Sequence, residues 1–197
     1  MKHIHFATTN KAKIISLNRN FEGVDIDVVS VEIEIPEPRS DETKVIAHEK
    51  VLYAFDHIGK PCIAQDGGFY IPALNGFPKA YVNFAMETIG NKGILKLISG
   101  LDRSCEFRDT VAYMDETLDE PVFFETITRG RLAEEERGEL GAHNWGEIHK
   151  IFIPEGKTKT FAEMTAEEMG DWSSNRKGDD CGCVRKFALW LKNNIVN

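Results

Sequence analysis

The sequence predicts a mixed α/β domain, and three observations carry that prediction. Near the N-terminus Ile4 and Phe6 alternate with His3 and His5, the two-residue period of a half-buried strand, and then Ile14, Leu17 and Phe21 recur at helical spacing. Thr43–Ile58 carries Ala47, Val51, Ala54 and Ile58 as a second helical stripe, followed by the short apolar run Cys62–Ala64. Two longer runs, Phe107–Met114 and Val122–Arg131, flank the acidic segment Asp115–Glu120 and read as a hairpin. Strand and helix periods exchanging along one chain place helices around a sheet.

The remaining elements follow in order. Val24, Ile26 and Val28 alternate with acidic residues in a second strand. Ile35–Asp41 is a proline-punctuated loop. The Cys62–Ala64 strand leads into a turn at Gln65-Asp66-Gly67-Gly68, after which Phe69–Ile71 is extended, and Leu74–Pro78 is another tight turn. Ala80–Ile98 is mostly helical and broken near Gly90; Ile151–Ile153 is a strand closed by Pro154-Glu155-Gly156. A last helix carries Val184, Phe187, Leu191 and Ile195 on one face. No linker, repeat or low-complexity tract interrupts the chain, so residues 1–197 read as a single domain.

Composition excludes several functions. With 197 residues and 42% hydrophobic content the chain can bury a core. A net charge of -8 repels a nucleic-acid backbone or an anionic membrane, so an anionic ligand must be held by a local group of cations. No apolar run approaches the ~18 residues of a membrane span, and the opening MKHIHF lacks a signal-peptide core. Cys62, Cys105, Cys181 and Cys183 show no metal-ligand spacing and read as free thiols in a cytoplasmic protein.

Three features bear on chemistry. Thr8, Thr9 and Asn10, with Lys11 and Lys13 beyond, crowd one helix N-terminus. That end of a helix attracts anions through its free N–H groups and its dipole, and Lys13 adds a full charge one turn inside. A plain Asn cap with two surface lysines explains the same residues. In the second helix Lys50 lies against the apolar stripe, either snorkelling to the surface or facing an anion. Asp66, followed by two glycines, stands where α/β sheets place their ligands; a simple Asp-Gly turn is the alternative. Glu37 supplies a second carboxylate. Cations for phosphates plus carboxylates for a hard divalent metal form the kit of phosphoryl chemistry.

These residues resemble the inosine/xanthosine triphosphate pyrophosphatase family. The resemblance runs through Phe6-Ala-Thr-Thr-Asn-Lys-Ala-Lys13, Pro36-Glu37, His48-Glu49-Lys50, Ala64-Gln65-Asp66-Gly67-Gly68-Phe69 and Leu74-Asn-Gly-Phe-Pro78. It continues through Thr88-Ile-Gly90, Gly93–Leu97, Gly130-Arg131, Glu136-Arg-Gly138, Ile151–Gly156 and Lys159–Thr165, and so spans nearly the whole chain. It implies an elongated α/β fold of the Maf/Ham1 type, a mixed sheet flanked by helices with two lobes around a central nucleotide cleft, commonly a homodimer. It implies hydrolysis of a nucleoside triphosphate between the α and β phosphates, with Mg²⁺. The substrates would be non-standard purine nucleotides such as ITP, dITP and XTP. By motif match Thr8, Thr9, Asn10, Lys13, Lys50 and Gly67 would hold the triphosphate. Glu37 and Asp66 would bind the metal, and Asp66, with Lys50, would be catalytic.

The chain also departs from the family pattern. The position before Asp66 is usually acidic and is Gln65 here, and the usual hydroxyl residue after it is Gly67. The purine-gripping stretch is replaced by Glu139–Lys150, where Trp145, His149 and Glu147 are the candidates to meet a base. Farther on, a family lysine is Met169, and the usual Ser-His-Arg reads Ser174-Asn175-Arg176, with Lys177 next. The phosphate half therefore matches while the base half, with Trp145, Asn175 and Arg176 as its candidates, is rewritten. The same chemistry on a different or modified base is the alternative to housekeeping removal of deaminated purines. A non-catalytic nucleotide-binding role fits less well with Glu37, Lys50 and Asp66 all retained.

Overall fold

A strand that alternates buried Ile4 and Phe6 with more accessible His3 and His5 opens the fold: β1 (Lys2–Ala7). The computed structural model describes residues 2–8, 10–21, 26–36 and 38–194. After β1 comes α1 (Lys11–Asn20), then β2 (Ile26–Val31), which pairs with β1 in parallel from Lys2↔Ile26 to Ala7↔Val31. Parallel neighbours need a crossover, and α1 provides it. Val24 and Ile195, expected in a strand and a helix, lie outside the described residues.

The chain continues through α2 (Thr43–Ile58), β3 (Cys62–Tyr70), β4 (Pro78–Lys79), α3 (Val82–Thr88), α4 (Gly90–Leu97), β5 (Ser104–Met114) and β6 (Val122–Leu132). It closes with β7 (Phe152–Pro154), α5 (Ala166–Asn175) and α6 (Cys183–Asn194). Among the described residues the sheet has seven strands in the order β2-β1-β3-β5-β6-β7, with β4 paired to β3. β1 is parallel to β3, whereas β3–β4 and β6–β7 are antiparallel. No described helix is long and apolar enough to cross a membrane.

The chain divides into two compact units, one drawn from residues 1–66, 109–126 and 181–197, the other from 67–108 and 127–180. In the first, alternate strand residues feed two cores. Ile63, Val111 and Tyr113 pack with Leu17 and Phe21 of the α1 segment and Phe187 and Leu191 of α6. Their neighbours Cys62, Ala64, Ala112 and Met114 pack with Ala47, Val51 and Ala54 of α2. In the second unit Phe69, Ile94, Ile98, Phe107, Leu132, Ile151, Phe152 and Phe161 form a single core.

Two expectations are corrected by the fold. The stretch Gln65-Asp66-Gly67-Gly68 is not a turn; it runs inside the nine-residue strand β3. Gly68 serves close packing instead, since a Cβ there would stand 2.9 Å from the Lys79 carbonyl oxygen of β4 and 2.8 Å from the Tyr70 ring. The second correction is α5, a helix the apolar pattern does not announce. Its signal is the capping box at Thr165 and Glu168, each bonding the other's backbone N–H. The expected break near Gly90 does occur: Gly90 takes φ +61 between α3 and α4.

Phe187 is fully buried, with the rings of Phe21, Tyr113 and Phe124 at 5.7, 5.3 and 5.3 Å. Phe187→Ala should cost about 3–5 kcal/mol of stability, read from urea denaturation midpoints. A loss under about 1 kcal/mol would contradict this packing.

Candidate functional site

The N-terminus of α1 is capped as its sequence suggests. Asn10 Oδ1 accepts hydrogen bonds from the N–H groups of Ala12 (3.0 Å) and Lys13 (3.2 Å), and Thr8 Oγ1 accepts from Asn10 N–H (3.2 Å). The cap thus accounts for Asn10 locally. It does not account for Lys13, whose side chain leaves the first turn and donates from Nζ to the Gln65 carbonyl of β3 at 2.8 Å. Burial lowers the Lys13 pKa from its usual 10.5, with the nearby Lys50 ammonium acting the same way, while Asp66 and Asp109 oppose both.

Lys50 arrives from α2, its Nζ 3.0 Å from Asp66 Oδ1, with side chains only 16% and 10% exposed. It therefore does not snorkel to the surface. Ala47, Val51 and Ala54 fix α2 against the sheet. Gly67 follows Asp66 within β3. The structure thus gathers Thr8, Asn10, Lys13, Lys50 and Asp66 around β3 and the start of α1. Thr9 and Glu37 lie outside the described residues.

One residue of this cluster escaped the sequence reading, and another, Gln65, has a setting that the sequence did not show. Asp109 of β5 is buried, and its carboxylate acts on the Lys13 ammonium. Gln65 is buried as well, and neither atom of its side-chain amide has a hydrogen-bond partner. Such a group costs about 1–3 kcal/mol unless a ligand or water satisfies it. A buried carboxylate inside an apolar strand was the available signal for Asp109; its through-space partner was not visible along the chain.

Among the described residues no group of three or more His, Cys, Asp or Glu side chains could hold an ion, and all four cysteines are free and buried. Asp66 is a hard oxygen donor, and Mg²⁺ is commonly held by one or two carboxylates together with substrate phosphates. Asp66 fits that role, with Glu37 as the second candidate.

The base-reading candidates lie in the second unit. Asn175 ends α5 and Arg176 follows it. Arg176 Nη1 donates to Thr128 Oγ1 (2.8 Å) and Nη2 to the Ile127 carbonyl (3.1 Å), and its guanidinium lies 4.8 Å from the centre of the Trp172 ring. Asn175, Arg176, Trp172, Met164, Lys157 and Lys159 help line a cavity of about 550 Å³. Trp145 does not line it; its ring stands 6.4 Å from that of His149. His149 is buried between Phe107 and Phe161, at 5.7 and 5.1 Å, and its Nδ1 accepts from Asn144 Nδ2 at 3.1 Å. It is a core histidine. Trp172, missed in the sequence, is the aromatic ring beside Arg176.

A family model described as the Ham1 family matches residues 4–178. A dITP/XTP pyrophosphatase of Methanopyrus kandleri is 41% identical over 192 residues, covering 97% of both chains. One of Thermococcus kodakarensis is 35% identical, covering 96% of this chain and 97% of its own. Among solved structures, a HAM1 protein from Coxiella burnetii superposes with a TM-score of 0.79 at 22% identity, over 98% of this chain and 100% of that one, a likeness of fold.

Burial, reinforced by His143, holds the His149 pKa down at about 3, from an ordinary 6.5. The unfolded chain takes up this proton near pH 6.5 and the native chain only near 3, so stability falls as pH drops through that window and is unaffected above it. His149→Phe should flatten the acid limb of a stability-versus-pH curve between those values. An unchanged slope would show that His149 is not held neutral.

Proposed function

Because the chain belongs to the Ham1 family, we propose that it is a nucleoside triphosphate pyrophosphatase acting on dITP, XTP and ITP, and releasing a monophosphate and pyrophosphate. The observation that carries this reading is the buried Lys50–Asp66 pair beside the capped start of α1, where Lys13 also converges. Relatives at 41% and 35% identity carry the name dITP/XTP pyrophosphatase, which supports the choice of substrate.

In this proposal the α1 N-terminus, with Thr8, Thr9, Asn10 and Lys13, holds the triphosphate through N–H groups, hydroxyls and an ammonium. Lys50 fixes the Asp66 carboxylate and adds positive charge facing the phosphates. Gly67, lacking a side chain, lets the β3 backbone approach the substrate. Asp66 orients a water behind the α phosphorus and accepts its proton during in-line attack, so positioning and charge stabilisation provide most of the rate. Mg²⁺, held by Asp66 and Glu37 with the phosphates, would neutralise charge building on the departing pyrophosphate. Of the residues proposed to read a base, Asn175 and Arg176 line one cavity of the second unit, and Trp145 lies outside it. The enzyme is proposed to be a cytoplasmic homodimer, and its four buried free thiols suit a reducing compartment.

A second reading keeps the chemistry and changes the base. It is favoured by Arg176, whose guanidinium is already bonded to Thr128 and Ile127, together with Met169 where the family pattern has a lysine. One panel tests both readings: dITP, XTP, ITP, ATP, GTP and modified purine triphosphates with Mg²⁺, scored for pyrophosphate against orthophosphate. Orthophosphate as the first product, or no turnover of any triphosphate, would contradict the proposal. In the same assay Asp66→Asn should lower kcat at least about a hundredfold and leave KM within about threefold, since an amide keeps the shape and loses the proton acceptor. A near-normal kcat would remove Asp66 from the mechanism.

A further inference from the structure

Charge around the start of α1 is balanced from an unexpected strand. Two ammoniums, Lys13 and Lys50, stand near the single carboxylate of Asp66, and Lys50 lies 3.0 Å from that carboxylate. Lys13 is anchored on the other side of β3: its helix packs on the core that contains Ile63 and Val111, whereas α2 packs on the core of Ala64 and Ala112. Its hydrogen bond goes to a neutral group, the Gln65 carbonyl. On that same side, by the two-residue alternation of strands, β3 presents Gln65 after Ile63 and β5 presents Asp109 before Val111 and Tyr113. β3 and β5 are neighbours in the sheet, and Gln65 and Asp109 are both buried. The β3 residue on this side carries no charge, so the negative charge reaching Lys13 there comes from β5.

We propose that Asp109 is a positioning residue of this site: its carboxylate, placed on β5, supplies the counter-charge that holds the half-buried Lys13 ammonium against β3 at the N-terminus of α1. This rests on the proposed binding of a triphosphate there. Without Asp109 the ammonium keeps the Asp66 carboxylate beyond β3 but loses the counter-charge on its own side of the sheet, and it turns outward. Triphosphate affinity is then lost while the reacting groups around Asp66 remain. A second role for the carboxylate is visible. Cys183, the first residue of α6, also feels the charge of Asp109, so the carboxylate could serve the start of that helix alone.

The two roles are separated by moving the charge. Asp109→Asn should raise KM about tenfold for every triphosphate while kcat changes by less than about threefold, the size expected for one lost counter-charge in a partly desolvated site. Gln65→Glu alone adds a carboxylate where one is already supplied and should weaken binding severalfold by repelling the phosphates. The double variant Gln65→Glu with Asp109→Asn returns the carboxylate to the same side from β3 and should bring KM back to within about threefold of wild type, a strongly non-additive cycle. A charge on β3 cannot replace one needed at the start of α6. Additive effects of the two substitutions, or an Asp109→Asn enzyme with unchanged KM, would overturn the proposal. If Asp109→Asn alone does not fold, the double variant decides. A folded protein with near-normal KM supports the proposal, and an unfolded or weakly binding one overturns it. Wild-type pyrophosphate release, measured alongside, tests the underlying functional reading separately, as does calorimetric binding of inorganic tripolyphosphate.

Discussion

The arrangement depends on one ion pair held largely out of water, Lys50 Nζ to Asp66 Oδ1. Removing two charges from solvent is costly, and breaking such a pair by deleting one partner typically costs about 3–5 kcal/mol. The pair persists because rigid elements present both groups. β3 is hydrogen-bonded within the sheet, and α2 is locked to it by Ala47, Val51 and Ala54, none of which is measurably exposed. Small residues at these positions let the helix approach the strand closely enough for a lysine to reach the carboxylate. A pair built chiefly for stability could be replaced by well-packed apolar side chains. One kept beside a capped helix N-terminus and a second, half-buried lysine fits the anion site proposed above.

Much of this was legible along the chain because it is local. The change from a two-residue to a helical period near Phe6 announces β1 and α1, and Asn10 announces the cap. The long strands β5 and β6 were found with only their first or last residues displaced. The residues expected to meet a phosphate at the start of α1, Thr8 to Lys13, sit at short spacings.

What was illegible is what depends on neighbours distant in sequence. Gly67 and Gly68 read as a turn because glycine is the usual turn residue. Only the approach of Lys79 to Gly68 shows why a strand would carry a glycine there. Asp109 looks like one acid in an apolar run until Lys13 is found near it. His149 and Trp145 looked like base-contacting rings because aromatics in a polar loop suggest stacking. The structure instead buries His149 among phenylalanines and sets Trp172, from a helix announced only by its capping box, beside Arg176.

If Asp66 directs a water onto the α phosphorus, the oxygen of that water must end in the nucleoside monophosphate. Hydrolysis of dITP in ¹⁸O-labelled water, with the products resolved by mass spectrometry, tests this most directly. The expected result is one labelled oxygen per turnover in the monophosphate and none in the pyrophosphate. Label in pyrophosphate or in orthophosphate would place the attack on another phosphorus and contradict the arrangement of Lys13, Lys50 and Asp66 described above.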